Sequence, residues 1–75
     1  MTVARVIELS ANSSTSFDDA IQQGVARASQ TLRNVRSAWV KEQRVDVQNG
    51  RIVEYQVNLL VTFVLDDQMG SDNTP

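Results

Sequence analysis

From Ile52 to Leu65 the chain alternates on one side only. The odd positions Val53, Tyr55, Val57, Leu59, Val61, Phe63 and Leu65 are all apolar or aromatic, whereas the even positions Ile52, Glu54, Gln56, Asn58, Leu60, Thr62 and Val64 mix polar and apolar residues. Side chains of a strand point alternately to its two faces, so this pattern predicts a strand with one core face and one face of a different duty. Upstream, Ala38 to Gln48 predicts a second strand, joined to the first across Asn49-Gly50. That dipeptide readily takes the positive φ angles of a two-residue type I′ turn. The resulting register sets Gln48 opposite Arg51, Val47 opposite Ile52, Val45 opposite Glu54, Gln43 opposite Gln56, Lys41 opposite Asn58 and Trp39 opposite Leu60. A bulge would shift these pairs by one.

Two further elements precede the hairpin. Val3 to Leu9 alternates and is rich in Val and Ile, which predicts a short first strand. Ser10 to Ser16 contains five Ser or Thr and one Asn, a loop composition, and it closes on a helix start signal in which Ser16 precedes Asp19 by three residues. From Phe17 the apolar residues fall at Phe17, Ile21, Val25, Ala28, Leu32 and Val35, spacings that line one face of a helix. Gln22, Gln23, Arg27, Gln30, Arg33 and Asn34 fall on the opposite face. Gly24 beside the apolar stripe is either a tolerated glycine or a point of close approach to the sheet. After Asp66 the pattern stops, so the reading is one domain over residues 1–66 and a disordered tail over 67–75.

The order strand, helix, strand, strand places the chain in the α+β class, with one helix on a three-stranded antiparallel sheet. One helix covers only one face. The other would present Trp39, Val45, Val47, Ile52, Leu60 and Val64 among Lys41, Gln43, Glu54, Gln56 and Asn58, too apolar for water and too polar for a dry core. Such a mixture suits a subunit interface or a ligand site between subunits. Length points the same way, since 75 residues without cysteine for disulfides, or histidine and cysteine for zinc, leave oligomerisation as the remaining stabiliser.

Composition removes several function classes. A net charge of −2 with seven interspersed basic residues offers no dense patch for phosphates, and one Trp and two Phe make no stacking platform, so nucleic acid is not an expected partner. No apolar run is long enough to span a bilayer and no signal peptide is evident, which with the missing cysteine leads to an expected cytoplasmic location away from membranes. Without His or Cys, and without a phosphate-binding loop, no catalytic constellation is present, and the chain is read as a non-enzyme.

The strand-one run VIELSANSSTSFDDAI, the segment ARASQTLRNVRSAWV and the hairpin end NGRIVEYQVNLLVTFVLD together resemble the dodecin family, from Val6 to Leu65. The resemblance implies a β-α-β-β fold whose long curved sheet wraps the helix, assembled as a hollow sphere of twelve subunits. It also implies flavin bound as stacked pairs in pockets at two-fold axes, for storage or sequestration rather than catalysis. The family's ring-edge glutamine, in a Tyr-Gln motif, falls on Gln56. The family's flavin-stacking tryptophan falls on Ser37, because this chain reads Ser37-Ala38-Trp39-Val40 where the family has Trp-x-Glu-Val. Positions 37 and 39 of a strand share a face, but Trp39 is displaced roughly 6.6–6.8 Å along it, so the same ligand pose cannot be retained. Dodecin-like proteins lacking that tryptophan include calcium binders.

The candidate site residues are therefore Gln56, Trp39, Ser37 and Lys41, with riboflavin or FMN as the implied cofactor and calcium as the alternative. Each carries a plainer reading. Trp39 is a ligand platform or an interface anchor packed on Leu60. Gln56 binds ligand or pairs with Gln43 across the hairpin. Lys41 holds a phosphate or pairs with Glu54. For calcium, Glu8, Glu42, Asp46 and Glu54 are candidates without a loop motif to gather them.

Overall fold

A computed structural model describes residues 2–65 of the chain; the expected tail lies outside them. The elements are β1 (Ala4–Ser13), α1 (Phe17–Thr31), β2 (Val35–Gln48) and β3 (Arg51–Val64). The three strands form one antiparallel sheet in the order β1-β3-β2, with the long alternating strand β3 in the centre. The α+β, β-α-β-β expectation is met.

Helix α1 packs on the odd face of β3. Val57, Leu59 and Val61 are fully buried there with Ala20, and Ala28 nearly so, while Ile7, Leu9, Ala11, Ile21, Val25, Leu32, Val35 and Ala38 close around them. Fifteen helical residues span about 22 Å at 1.5 Å each, whereas the fourteen of β3 span about 47 Å. The helix therefore covers only the middle of the sheet. Val53 and Leu65, expected on the core face, lie at its two ends and remain 39% and 41% exposed. With Val3, Val6, Trp39, Val40, Val47 and Ile52 also exposed, the single chain leaves apolar surface along its 59 Å length that water does not favour.

Three boundaries differ from the sequence reading. Strand β1 runs on to Ser13 instead of stopping at Leu9, and Ser10, Ala11, Asn12 and Ser13 pair with Asn58, Val57, Gln56 and Tyr55. The small polar residues that looked like a loop fit here because Ala11 lies under the helix, and the buried Ser13 hydroxyl is fully used. It donates to Asp19 Oδ2 (2.6 Å) and accepts from the Thr15 and Ser16 amides (2.9 and 3.4 Å). The helix start is as expected at Ser16, whose Oγ accepts from the Asp19 amide at 3.0 Å. The Asp19 carboxylate does not return to the Ser16 amide; it takes Ser13 and Gln23 instead.

The helix ends at Thr31, and the apolar period that continued to Val35 belongs to two elements. Leu32 is extended and Asn34 takes φ +61°, a left-handed residue that turns the chain into β2, so Val35 reaches the same core from the sheet. Strand β2 consequently starts at Val35 rather than Ala38.

At the hairpin, Asn49 and Gly50 have φ of 53° and 74°, the expected turn, and Gln48 faces Arg51 and Val47 faces Ile52. Beyond that the register slips. Val53 is an extra residue on β3, and Asp46, not Val45, faces Glu54. Arg44, not Gln43, faces Gln56, and Glu42, not Lys41, faces Asn58. Lys41 is then an extra residue on β2, which cancels the first slip and restores Trp39 opposite Leu60 as expected. Val45 and Gln43 thereby move to the face opposite the one assigned to them, where Val45 pairs with Tyr55 and Gln43 with Val57.

Gly24 is a point of close approach. A Cβ there would lie 2.8 Å from Leu59 Cδ1 and 3.2 Å from Ala11 Cβ, and both neighbours are held in the packed layer. Gly24→Val is expected to cost about 1–3 kcal/mol through overpacking, offset by only a few tenths from valine's better helix propensity. A urea midpoint equal to the parent's would show that the helix moves off the sheet freely.

Candidate functional site

The helix-free face of the sheet carries the even positions of β3. Direct antiparallel partners share a face, so Val6, Glu8, Ser10 and Asn12 of β1 and Ser37, Trp39, Glu42, Arg44 and Asp46 of β2 stand on it with Glu54, Gln56, Asn58, Leu60 and Thr62. All four candidate residues reach this face. Lys41, the bulge residue, does so by placing Nζ 3.2 Å from Glu8 Oε1.

The face divides in two. At one end Trp39, 69% exposed, stands opposite Leu60, and the exposed Val6 stands opposite Thr62 one step further along the same face. Ser37 flanks Trp39 opposite Thr62. At the other end the side chains form a connected polar row. Arg44 Nε donates to Gln56 Oε1 at 2.9 Å, Gln56 Nε2 donates to Asn58 Oδ1 at 3.5 Å, and Asn58 Nδ2 donates to Glu42 Oε1 at 3.0 Å. Arg44 Nη2 also lies 3.6 Å from Asp46. A cleft of about 340 Å³ opens among Glu42, Gln43, Arg44, Gln56 and Asn58.

The Arg44 contact settles which way the Gln56 amide points. Its carbonyl accepts from the guanidinium and its NH2 donates to Asn58, which leaves one carbonyl lone pair and one N–H uncommitted on a residue that lines the cleft. A ligand with both a donor and an acceptor, such as an imide or amide, can use both.

Several expected pairings are replaced. Gln56 bonds Arg44 rather than Gln43, because the bulge at Val53 moved Gln43 away. Lys41 pairs with Glu8 across the sheet rather than with Glu54. Gln56 lies four residues along β3 from Leu60, the partner of Trp39, about 13 Å of strand; Thr62, the partner of Ser37, is about 20 Å away. Trp39 is therefore the nearer aromatic wall for anything held by Gln56. Arg44 is not among the residues the sequence singles out, and Glu42, which it offers only as a calcium candidate, joins the polar row beside Gln56. The signal was present in the polar run Lys41-Glu42-Gln43-Arg44, where lost alternation marks a bulge, though not on which strand. Among the described residues no three carboxylates of one chain gather as a metal cage.

The dodecin family model matches residues 3–66. The chain belongs to the dodecin family. It is 38% identical to the dodecin of Thermus thermophilus over 65 residues, which are 87% of this chain and 94% of that one. The solved dodecin from Streptomyces davaonensis matches with a TM-score of 0.82 and 38% identity, covering 87% of this chain and 96% of its own. The calcium dodecin of Mycobacterium tuberculosis is 33% identical over 63 residues, 84% of this chain and 89% of that one. Its crystal structure, described as that of a calcium-chelating antigen with a novel calcium-binding site, gives a TM-score of 0.74, with 85% and 91% of the two chains covered.

Proposed function

We propose that this dodecin assembles as a spherical homododecamer that holds riboflavin or FMN in pockets at subunit interfaces, as a store or buffer rather than as an enzyme. The observation that carries this reading is Gln56. It stands in a cleft, oriented by Arg44 and Asn58, on the same face as the exposed ring of Trp39. Gln56 supplies the directional hydrogen bonds to the polar edge of the ring system, and Trp39 supplies apolar cover in a pose shifted along the strand. Family membership and the uncovered apolar surface of the single chain support the assembly.

Titration of riboflavin with protein, read by loss of flavin fluorescence, tests the reading. Quenching at micromolar protein is expected, and Gln56→Leu is expected to weaken binding about 10- to 100-fold, the worth of one or two hydrogen bonds left unmade on a buried edge. An intact assembly that leaves flavin fluorescence unchanged would remove the function.

The alternative is a flavin-free dodecameric shell in which Trp39 packs between subunits and calcium sits at their junctions. Ser37 at the stacking position and the likeness to the calcium dodecin favour it. Since no cage forms within one copy's described residues, such an ion would need ligands from more than one subunit. A colourless purified protein whose particle mass falls on chelation with EGTA would establish this reading over the first.

A further inference from the structure

The helix-free face is acidic, and the charge has a consequence for ligand choice. Between the hairpin and Trp39 it carries Glu8, Glu42, Asp46 and Glu54 against Lys41 and Arg44. Both cations are already engaged: Lys41 lies on Glu8, and Arg44 holds Gln56 and Asp46. Glu54 stands directly opposite Asp46, a like-charge pair across the hairpin. Glu42 and Arg44 line the cleft itself, and Asp46, Glu54 and Glu8 flank it on the same face. Arg5 pairs with Phe63 on the helix side, Arg51 sits at the turn about 17 Å of strand from Gln56, and Arg36 lies beyond Ser37, about 20 Å away. A symmetry-related copy facing the same pocket would double the excess of carboxylates rather than offset it.

We propose that this site selects uncharged flavin, riboflavin in preference to its phosphate ester FMN, because the carboxylates Glu8, Glu42, Asp46 and Glu54 outnumber cations that are already committed. The proposal rests on the flavin reading above and refines it. A phosphate monoester carries about −1.5 to −2 charge at neutral pH. Placed about 10 Å from a net charge of similar size and the same sign, it is repelled enough to weaken binding about tenfold at low ionic strength. Salt shortens the reach of that repulsion from about 30 Å at 0.01 M to a few Å at 1 M.

The test is a paired titration with riboflavin and FMN by fluorescence quenching, at low salt and near 0.5 M salt. Riboflavin is expected to bind about tenfold more tightly than FMN at low salt, with the gap closing to about twofold or less at high salt. Glu54→Lys, which reverses a charge without touching the Gln56 hydrogen-bond row, is expected to close the low-salt gap. FMN binding as tightly as riboflavin at low salt overturns the proposal and leaves the flavin reading standing. A gap that persists unchanged at high salt overturns it too, because the discrimination is then steric. Absence of quenching by either flavin overturns both.

Discussion

Leu59→Ala is expected to lose about 3–5 kcal/mol and to leave the chain largely unfolded at room temperature. Leu59 is at 0% exposure in the centre of the middle strand, between Val57 and Val61, with its Cδ1 turned to Gly24 of the helix. Its removal opens a void between the sheet and the helix, in the core that holds the two together. The helix reaches the sheet through Ala20, Gly24 and Ala28, whose small or absent side chains cannot move in to fill it. Small domains sit near the lower end of the usual 5–15 kcal/mol of stability, so this loss is comparable to the total. Circular dichroism at fixed protein concentration measures it, since stability shared with an assembly depends on concentration. A melting curve within a few degrees of the parent's would take Leu59 out of the core.

Trp39→Asp is expected to abolish assembly and release small species. Trp39 is 69% exposed in the isolated chain and stands opposite Leu60, an apolar surface whose proposed cover is another subunit or a ligand. An aspartate there adds a carboxylate to the face that carries Glu8, which Lys41 already neutralises, and burying it unpaired costs several kcal/mol at every copy of the contact. Light scattering after size exclusion reads the outcome directly. Trp39→Phe, which keeps the aromatic area, is expected to retain the parent mass. A Trp39→Asp particle of unchanged mass would place Trp39 outside the subunit contacts and leave it to the ligand.

Much of the scaffold was legible because its signals are local. The alternation of β3 identified Val57, Leu59 and Val61, Asn49-Gly50 identified the turn, and Ser16 with Asp19 identified the helix start, each through geometry spanning a few residues. Errors arose where one pattern served two elements. Val35 continues the helical period but belongs to β2, because Asn34 turns the chain by adopting φ +61°. Ser10 to Ser13 read as loop because their composition is polar, yet they complete β1, with the small Ala11 and Ser13 on the helix side and Ser10 and Asn12 on the free face.

The candidate site was legible in part. Gln56, Trp39, Ser37 and Lys41 do reach one face, as alternation and the hairpin implied. The partners of Gln56 and Lys41 were misassigned, because two bulges, one at Val53 and one at Lys41, shift the register over the stretch between them and then cancel. A bulge moves every intervening side chain to the other face without altering composition.

By itself the sequence determined the strand-helix-strand-strand order, the core face of β3 and the need for cover on the second face, since periodicity and turn chemistry are properties of neighbouring residues. Only the tertiary structure decided that Arg44 holds Gln56, that Lys41 answers Glu8, and that Glu54 meets Asp46 across the hairpin beside the cleft. These are pairings between strands, and their register depends on where the packed sheet accommodates an extra residue.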